Sequence, residues 1–588
     1  MAATSLKTPN PSFTKFTDAP LHELSKHTSR PRISERETVA ISLGWKTWLV
    51  VFITCFAIMA QVFVIVTAES VVAFIIRDIG SPARAGWIIQ GPLLMQSALS
   101  PIIGRLSDVV GRKYLAAVPP LIAFAGSVVS AKAESMTTLI GGGILIGVTL
   151  STISIVQAIP SEVLPMRQRT VANGLAFAAG GLGALIGNLG AGSVTSMSPS
   201  GWRNIFWMQA AFHLATALGL LVFYNPPHPA YRSKLPLAQI VWAIDPIGSA
   251  LFIGSITLML LGIEWAGGTY KWADSHVAAP LGVGLGLLLM FCIYEWKGRQ
   301  DGLVAHVFFQ SSPNFALWIF YCTANSYTPQ VVLNLGFEDN SLSISIRQLS
   351  FTLVNIFASI PITWYATKHK DMKLPLLITF TLFLVVTICY ATITPAHDHA
   401  QIVYNVISGI GQAGPLTLLV ALVQFTAPHR YLSTATGLAF SARAIGGAFG
   451  SAVLDVISKN KLAATYATQV GVAAVAAGLP DSDIGTLLAA LAIGNTTAFG
   501  EISAFDARIL PAALNASHYA YAAAYRLAWS SIIPFVLFAI VAVSCLKGVE
   551  ELMTDVVGAT VEDVPKSAAD VIPEVVEIEM EDMSHMHV

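Results

Sequence analysis

Apolar runs divide the chain into windows of the length a helix needs to cross roughly 30 Å of hydrocarbon, about 20 residues each. They fall at 46–68, 86–104, 114–131, 136–158, 170–192 and 203–223, then at 246–266 and 277–296, and finally at 313–336, 346–367, 373–393, 402–425, 436–458 and 528–547. The pattern predicts an all-α polytopic membrane protein with about fourteen transmembrane helices, two groups of six with an extra pair between them. The ninth window is interrupted by the polar stretch Thr323 to Gln330, which includes Pro329. Two readings of it stay open, a broken helix lining a cavity and a segment that does not span.

Lysine and arginine alternate in density from one connection to the next. The leader carries Lys7, Lys15, Lys26, Arg30, Arg32 and Arg36, and every second connection is basic in turn: Arg105/Arg112/Lys113, Arg167/Arg169, Arg232/Lys234, Lys297/Arg299, Lys368/Lys370/Lys373 and Arg430. The connections between them mostly hold one basic residue each. This bias puts both termini in the cytosol, and its regularity favours a ninth segment that crosses. The expected organisation is a disordered cytosolic tail at 1–45 without a cleavable signal peptide, a six-helix bundle at 46–223, a linker with two extra helices at 224–300, and a second bundle at 301–547. The second bundle contains a long outer loop at 459–528, and an acidic cytosolic tail follows at 548–588. The outer loop holds two glycosylation sequons, at Asn495 and Asn515, and an alanine-rich run at 462–479 expected to lie as an amphipathic surface helix.

Composition narrows the function classes. Charged residues make up 11% of the chain and hydrophobic residues 54%, with mean hydropathy +0.65; a soluble protein carries about 25% charged residues. Net charge is −1, and no nucleic-acid-binding motif is visible. The five cysteines (Cys55, Cys292, Cys322, Cys389, Cys545) show neither paired spacing nor histidine neighbours, and His585 and His587 are too few for a metal site. Without a phosphate-binding loop or a nucleophile motif, the chain reads as neither an ATP-driven pump nor an enzyme, needing no cofactor. An ion gradient is the energy source that remains. The lipid bilayer is an expected partner, with the chain monomeric.

One polar knot stands between two apolar runs: Gly104-Arg105-Leu106-Ser107-Asp108-Val109-Val110-Gly111-Arg112-Lys113. Gly111 can take positive φ in a tight turn, Gly104 allows a close backbone approach, and Asp108 and Arg112 are spaced to pair. The chain also repeats itself. Gly174, Gly183 and Gly187 of the fifth window recur as Gly437, Gly446 and Gly450 of the thirteenth, so the two groups of six are duplicated halves. Such halves bind substrate between them near the membrane midplane.

The knot resembles the G-x-L-a-D-r-x-G-r-K/R signature of the major facilitator superfamily. Glu162, Pro165 and Arg169 resemble the E-x-x-P-x-x-x-R element that follows the fourth helix in that family. The fifth window is similar to the antiporter signature of drug exporters at Gly174, Gly183 and Gly187, with Asn188 in place of its proline. Asp245-Pro246-Ile247-Gly248 and the stretch Trp265 to Trp272 resemble the fourteen-helix fungal exporters of the drug:proton antiporter type, especially the trichothecene efflux pump group. Gly143 and Ile146 stand where those exporters carry arginine and glutamine. The resemblance implies proton-coupled export of a small organic compound across the plasma membrane, with Gly104, Asp108, Gly111, Arg112 and Lys113 as a conformational latch. Two alternatives stay open: uptake, as of an iron–siderophore chelate, and a non-transporting membrane sensor.

Ionisable groups inside the spans are expensive and therefore candidates for function. Glu69, toward the outer end of the first helix, is the candidate for proton exchange, with an interfacial position as the alternative. His213 is either a proton acceptor or a packing residue. Arg443 occupies the place of Gly180 in the repeat and needs a carboxylate or carbonyl partner, for which Asp455 is too distant along the axis. Asp245 and Glu264 are expected at the interface.

Overall fold

A computed structural model describes residues 43–554, apart from 82–83, 199, 227–236, 267–269, 300, 311–340, 494–507 and 547–548. The leader up to residue 42, the ninth window at 313–336, Cys322, Asn495 and the tail beyond 554 with His585 and His587 lie outside the described residues. Among the described residues all regular structure is helical, and eleven helices are long and apolar enough to cross a membrane.

The first half comprises α1 (Trp45–Ile79), α2 (Gly86–Val110), α3 (Arg112–Ala131), α4 (Met136–Leu150), α5 (Ile153–Val163), α6 (Arg169–Met197) and α7 (Trp202–Phe223). The window at 136–158 is not one straight helix. It breaks at Ser151 and Thr152, where the Gln61 amide of α1 donates to the Thr149 carbonyl at 2.9 Å and to Thr152 Oγ1 at 3.2 Å. A side chain inserted into the ladder in this way is a standard cause of a kink. A short α8 (Leu237–Ala243) leads to the extra pair, α9 (Pro246–Ala266) and α10 (Ser275–Ile293), and α11 (Val307–Gln310) follows.

The second half contains α12 (Ser341–His369), α13 (Lys373–Tyr390), α14 (Asp398–Thr426), α15 (Leu432–Ala476), α16 (Ile484–Ile493) and α17 (Ile509–Ser544). The expected outer loop at 459–528 is largely helical. The run at 462–479 continues the spanning helix as far as Ala476 instead of forming a separate surface helix, because alanine is the best helix former and nothing in it stops propagation. The end of this extension packs with α16 and the start of α17 around Val470, Ala474, Leu487 and Ala513. The acidic tail also starts differently from expectation. Residues 549–554 are docked, with Val549 and Met553 buried in the core of the second half.

Two seams join the halves. In each, the second helix of one half lies against the fifth of the other: α2 against α15, and α12 against α6. α2 is absent from the eleven apolar helices, and the seam accounts for it. A helix covered by another half need not be apolar, and α2 buries Gln96, Ser97, Ser100, Arg105, Ser107 and Asp108. Pro101 of α2 has no N–H to give the Ser97 carbonyl, and Ser441 of α15 donates its hydroxyl there instead.

Candidate functional site

The residues from Gly104 to Val110 are the last turns of α2 and not a loop; Gly111 is the whole connection and Arg112 already opens α3. Gly111 has φ +117°, the positive value its position requires. A Cβ on Gly104 would collide with the Ser433 carbonyl, and one on Gly437 would come within 2.5 Å of the Ser100 carbonyl, so the α2–α15 seam needs both glycines.

α15 has no capping side chain of its own. Asp108 supplies one from the other half, its two oxygens accepting from the backbone N–H of Ser433 (3.2 Å) and Thr434 (2.8 Å) and from the Thr434 hydroxyl (2.8 Å). A carboxylate at a helix N-terminus also meets the positive end of the helix dipole. Arg112 donates to Asp108 at 3.0 Å and pairs with Glu162, which His429 of the second half approaches at 3.6 Å. Lys113 points away from this centre and bonds Asn225.

Arg105 adds a second contact between the halves. It pairs with Asp301 at 2.6 Å, and its guanidinium lies 4.8 Å from the centre of the Tyr431 ring. Burial, then the Asp301 charge, push the Tyr431 phenol above its ordinary pKa, so it remains the donor to Asp301 at 2.8 Å.

Beside this cluster, Arg169 donates to the Ser161 carbonyl (3.2 Å) and, across the seam, to the Gln424 carbonyl (2.8 Å). The Gln424 side-chain oxygen accepts from Ser161 (2.8 Å) and Asn173 (2.7 Å). Ser161 and Gln424 lie 263 residues apart, the spacing that also relates Gly174 to Gly437. They are therefore equivalent positions of the repeat meeting on its axis. Pro165 begins the short turn between Glu162 and Arg169, as Pro428 begins its counterpart in the second half. The sequence reading missed Gln424. A glutamine within the apolar run ending α14 was the available signal.

The repeat glycines divide between two tasks. Gly174 faces Thr363 of α12 across the second seam, whereas Gly183 and Gly187 face Met59 and Thr67 of α1 within the first half. Asn188 accepts from Ser70 of α1 at 3.0 Å and donates to Gln348 of α12 at 3.3 Å, so the residue replacing the signature proline is a polar bridge between halves. Gly446 and Gly450 are buried and Arg443 is half-buried on α15.

Glu69 is exposed, and His213 is fully buried in α7. They do not meet. The α1 face toward α7 is marked by Thr67, bonded to Gln209, and Phe63, in contact with Phe212; Glu69, two residues past Thr67, is about 160° around the helix from it. Asp245, expected at the interface, is instead completely buried. Asn515 is exposed on α17, and Ser517 of the same sequon bonds Tyr466 at 3.2 Å. Among the described residues no group of His, Cys, Asp or Glu is placed to hold a metal.

Two duplicated helical halves, joined by second-to-fifth helix seams and locked at one end, are matched by the comparisons with known proteins. Residues 47–451 match the sequence profile of the Major Facilitator Superfamily. The chain belongs to that superfamily. Among its relatives is the MFS-type transporter prx5 of Penicillium rubens, 25% identical over 536 residues, covering 88% of this chain and 94% of that one. Another is the efflux pump apf11 of Gibberella fujikuroi, 23% identical over 435 residues, covering 70% and 75%. Among solved structures, a double-tryptophan mutant of XylE matches with TM-score 0.51 at 12% identity, covering 86% of this chain and 98% of that one, and supports the facilitator fold alone. Relatives and fold are those of transporters of small molecules, not of enzymes.

Proposed function

We propose that the chain is a proton-coupled secondary transporter that exports a small, fairly apolar organic compound across the plasma membrane by alternating access. It has about fourteen spanning helices, the ninth window included, and both termini in the cytosol. The observation that carries the reading is the capping of α15 by Asp108 of the opposite half. A bond of that kind stabilises one arrangement of two rocking bodies and must break in the other. The excess of lysine and arginine places this end inside, so the conformation is the one closed to the cytosol.

Glu69 is the proton-exchange group in this reading, because it lies on the α1 face turned away from α7; His213 packs. The names borne by relatives, an efflux pump among them, support export. Glycosylation at Asn495 and Asn515 on the outer side would be seen as a glycosidase-sensitive change in mobility.

The test is a panel of toxic metabolites given to cells expressing the chain. Lower accumulation of one compound is expected with wild type, lost on dissipating the proton gradient and in Glu69→Gln, and impaired in Asp108→Ala. Accumulation that rises with expression would overturn export.

A further inference from the structure

The base of the extra helix pair contains a group of side chains that the transport cycle described above does not use. Asp245 precedes α9, has φ +56° and is fully buried. Its Oδ1 accepts from the Gly248 N–H (3.1 Å) and the Tyr294 hydroxyl (3.1 Å), with Arg299 at 3.5 Å. Its Oδ2 is buried and has no hydrogen-bond partner. Glu295, buried in the turn that ends α10, accepts the Leu303 N–H on one oxygen and the Val304 N–H on the other, each at 3.1 Å. The two carboxyl groups meet at Gly248, where an added Cβ would collide with Asp245 Oδ2 and lie 2.7 Å from Glu295 Oε1.

Two ionised carboxylates cannot share a buried site beside one another; like charges there force one to keep its proton. Glu295 accepts two backbone N–H groups, and Asp245 Oδ1 accepts from Gly248 and Tyr294 beside the Arg299 cation, so Asp245 Oδ2 faces Glu295 Oε1 with no hydrogen between them other than the one the pair keeps. We propose that Asp245 and Glu295 form a proton-binding acid pair, a single proton shared between Asp245 Oδ2 and Glu295 Oε1, that fixes the extra helices to the latch. With the proton in place, the pair carries a single negative charge, and Arg299 lies against it at Asp245 Oδ1.

The connection to the latch is direct. Arg299 donates to the Trp242 carbonyl (2.5 Å) and the Asp301 carbonyl (2.9 Å), while Arg105 of α2 donates to the Ala243 carbonyl (3.0 Å) and pairs with Asp301. The charged and titratable groups around the pair are Tyr294, Arg299 and His306, which bonds the Glu295 carbonyl, with Arg105, Asp301 and Tyr431 beyond them. Loss of the proton adds a negative charge that draws Arg299 inward, away from the carbonyl that holds α8 beside Arg105.

The test is thermal unfolding of the full chain, purified in detergent, from about pH 6 to about pH 9. A proton bound more tightly in the folded state stabilises at low pH and is lost as pH rises through the folded-state value, so wild type should lose at least about 3 °C over that range. Asp245→Asn replaces the shared proton with an amide N–H between the two side chains and keeps the acceptor at Oδ1; it should fold and show less than half of that loss. Glu295→Gln must turn an amide NH2 against a backbone N–H and should unfold earlier than wild type at every pH. Asp245→Asn that fails to fold or keeps the wild-type slope, or Glu295→Gln as stable as wild type, would overturn the proposal.

Discussion

Asp108 joins α2 to α15 at one end of their seam. Asp108 accepts two backbone N–H groups and a hydroxyl from α15 while paired with Arg112, so its removal strands buried donors and leaves the buried Arg112 with Glu162 as its remaining carboxylate. Asp108→Ala should therefore destabilise the closed conformation by about 3 kcal/mol or more, measured as a fall in the unfolding midpoint in detergent; an effect within experimental error would remove Asp108 from the latch. Its counterpart in the repeat, 263 residues on by the spacing that pairs Ser161 with Gln424, is Asp371. That carboxylate caps its own next helix, accepting from the N–H groups of Lys373 (2.8 Å) and Leu374 (3.2 Å). Asp371→Asn should consequently cost no more than an ordinary helix cap, about 1 kcal/mol, in the same assay. At the opposite end, hydrogen bonds from Arg203 and then Trp202 hold the Asp78 carboxyl below its ordinary pKa. Its contribution is present above the unfolded-state value and lost as pH falls through the lower folded one. Asp78→Asn should be slightly less stable than wild type at neutral pH, with the gap closing below about pH 4; a gap that persists in acid would assign the loss to packing.

At the level of whole elements, the start of the C-terminal tail ties the two halves together. Val549 and Met553 are buried in the second half, Lys373 donates to the Leu546 carbonyl, and the Thr554 carbonyl accepts from the Arg167 N–H of the first half at 2.7 Å. A chain ending at Leu546 should open this end more readily, seen as faster alkylation of a cysteine placed at Ser433; unchanged labelling would make the tail a passenger. What the sequence made legible follows the same division. Apolar run length located the helices, because hydrocarbon thickness fixes it, and the glycine repeat located the halves. Helix ends were less visible. The Gly104–Lys113 knot reads as a loop because charge and glycine usually mean one, whereas here polar residues finish a helix whose end is covered by another half. The extension of α15 to Ala476 was hidden for a related reason, since alanine supports a helix in any surroundings. Asp245 looked interfacial beside its proline, and only the fold brings Glu295, fifty residues later in chain order, alongside it.

For the molecule as a whole, duplication produces paired seams that are alike in backbone and unlike in chemistry. Thr170 meets Thr367 where Ser433 meets Gly104, and Gly174 meets Thr363 where Gly437 meets Ser100. Among the described residues only the α2–α15 seam carries a carboxylate across, so the two should not part with equal ease, and substitutions along α6 and α12 should disturb closure less. The axis itself is polar: Ser161, Asn173, Arg169 and Gln424 are all buried and satisfied by one another. In the proposed alternating-access cycle the halves separate there, and each of those groups must then be hydrated, so opening takes up solvent. A large inert solute confined to that side, excluded from the crevice, should then act as osmotic stress and slow turnover in proportion to its osmolality. Equal rates with and without it would mean that the axis exchanges its bonds for others within the protein, and that this transporter opens nearly dry.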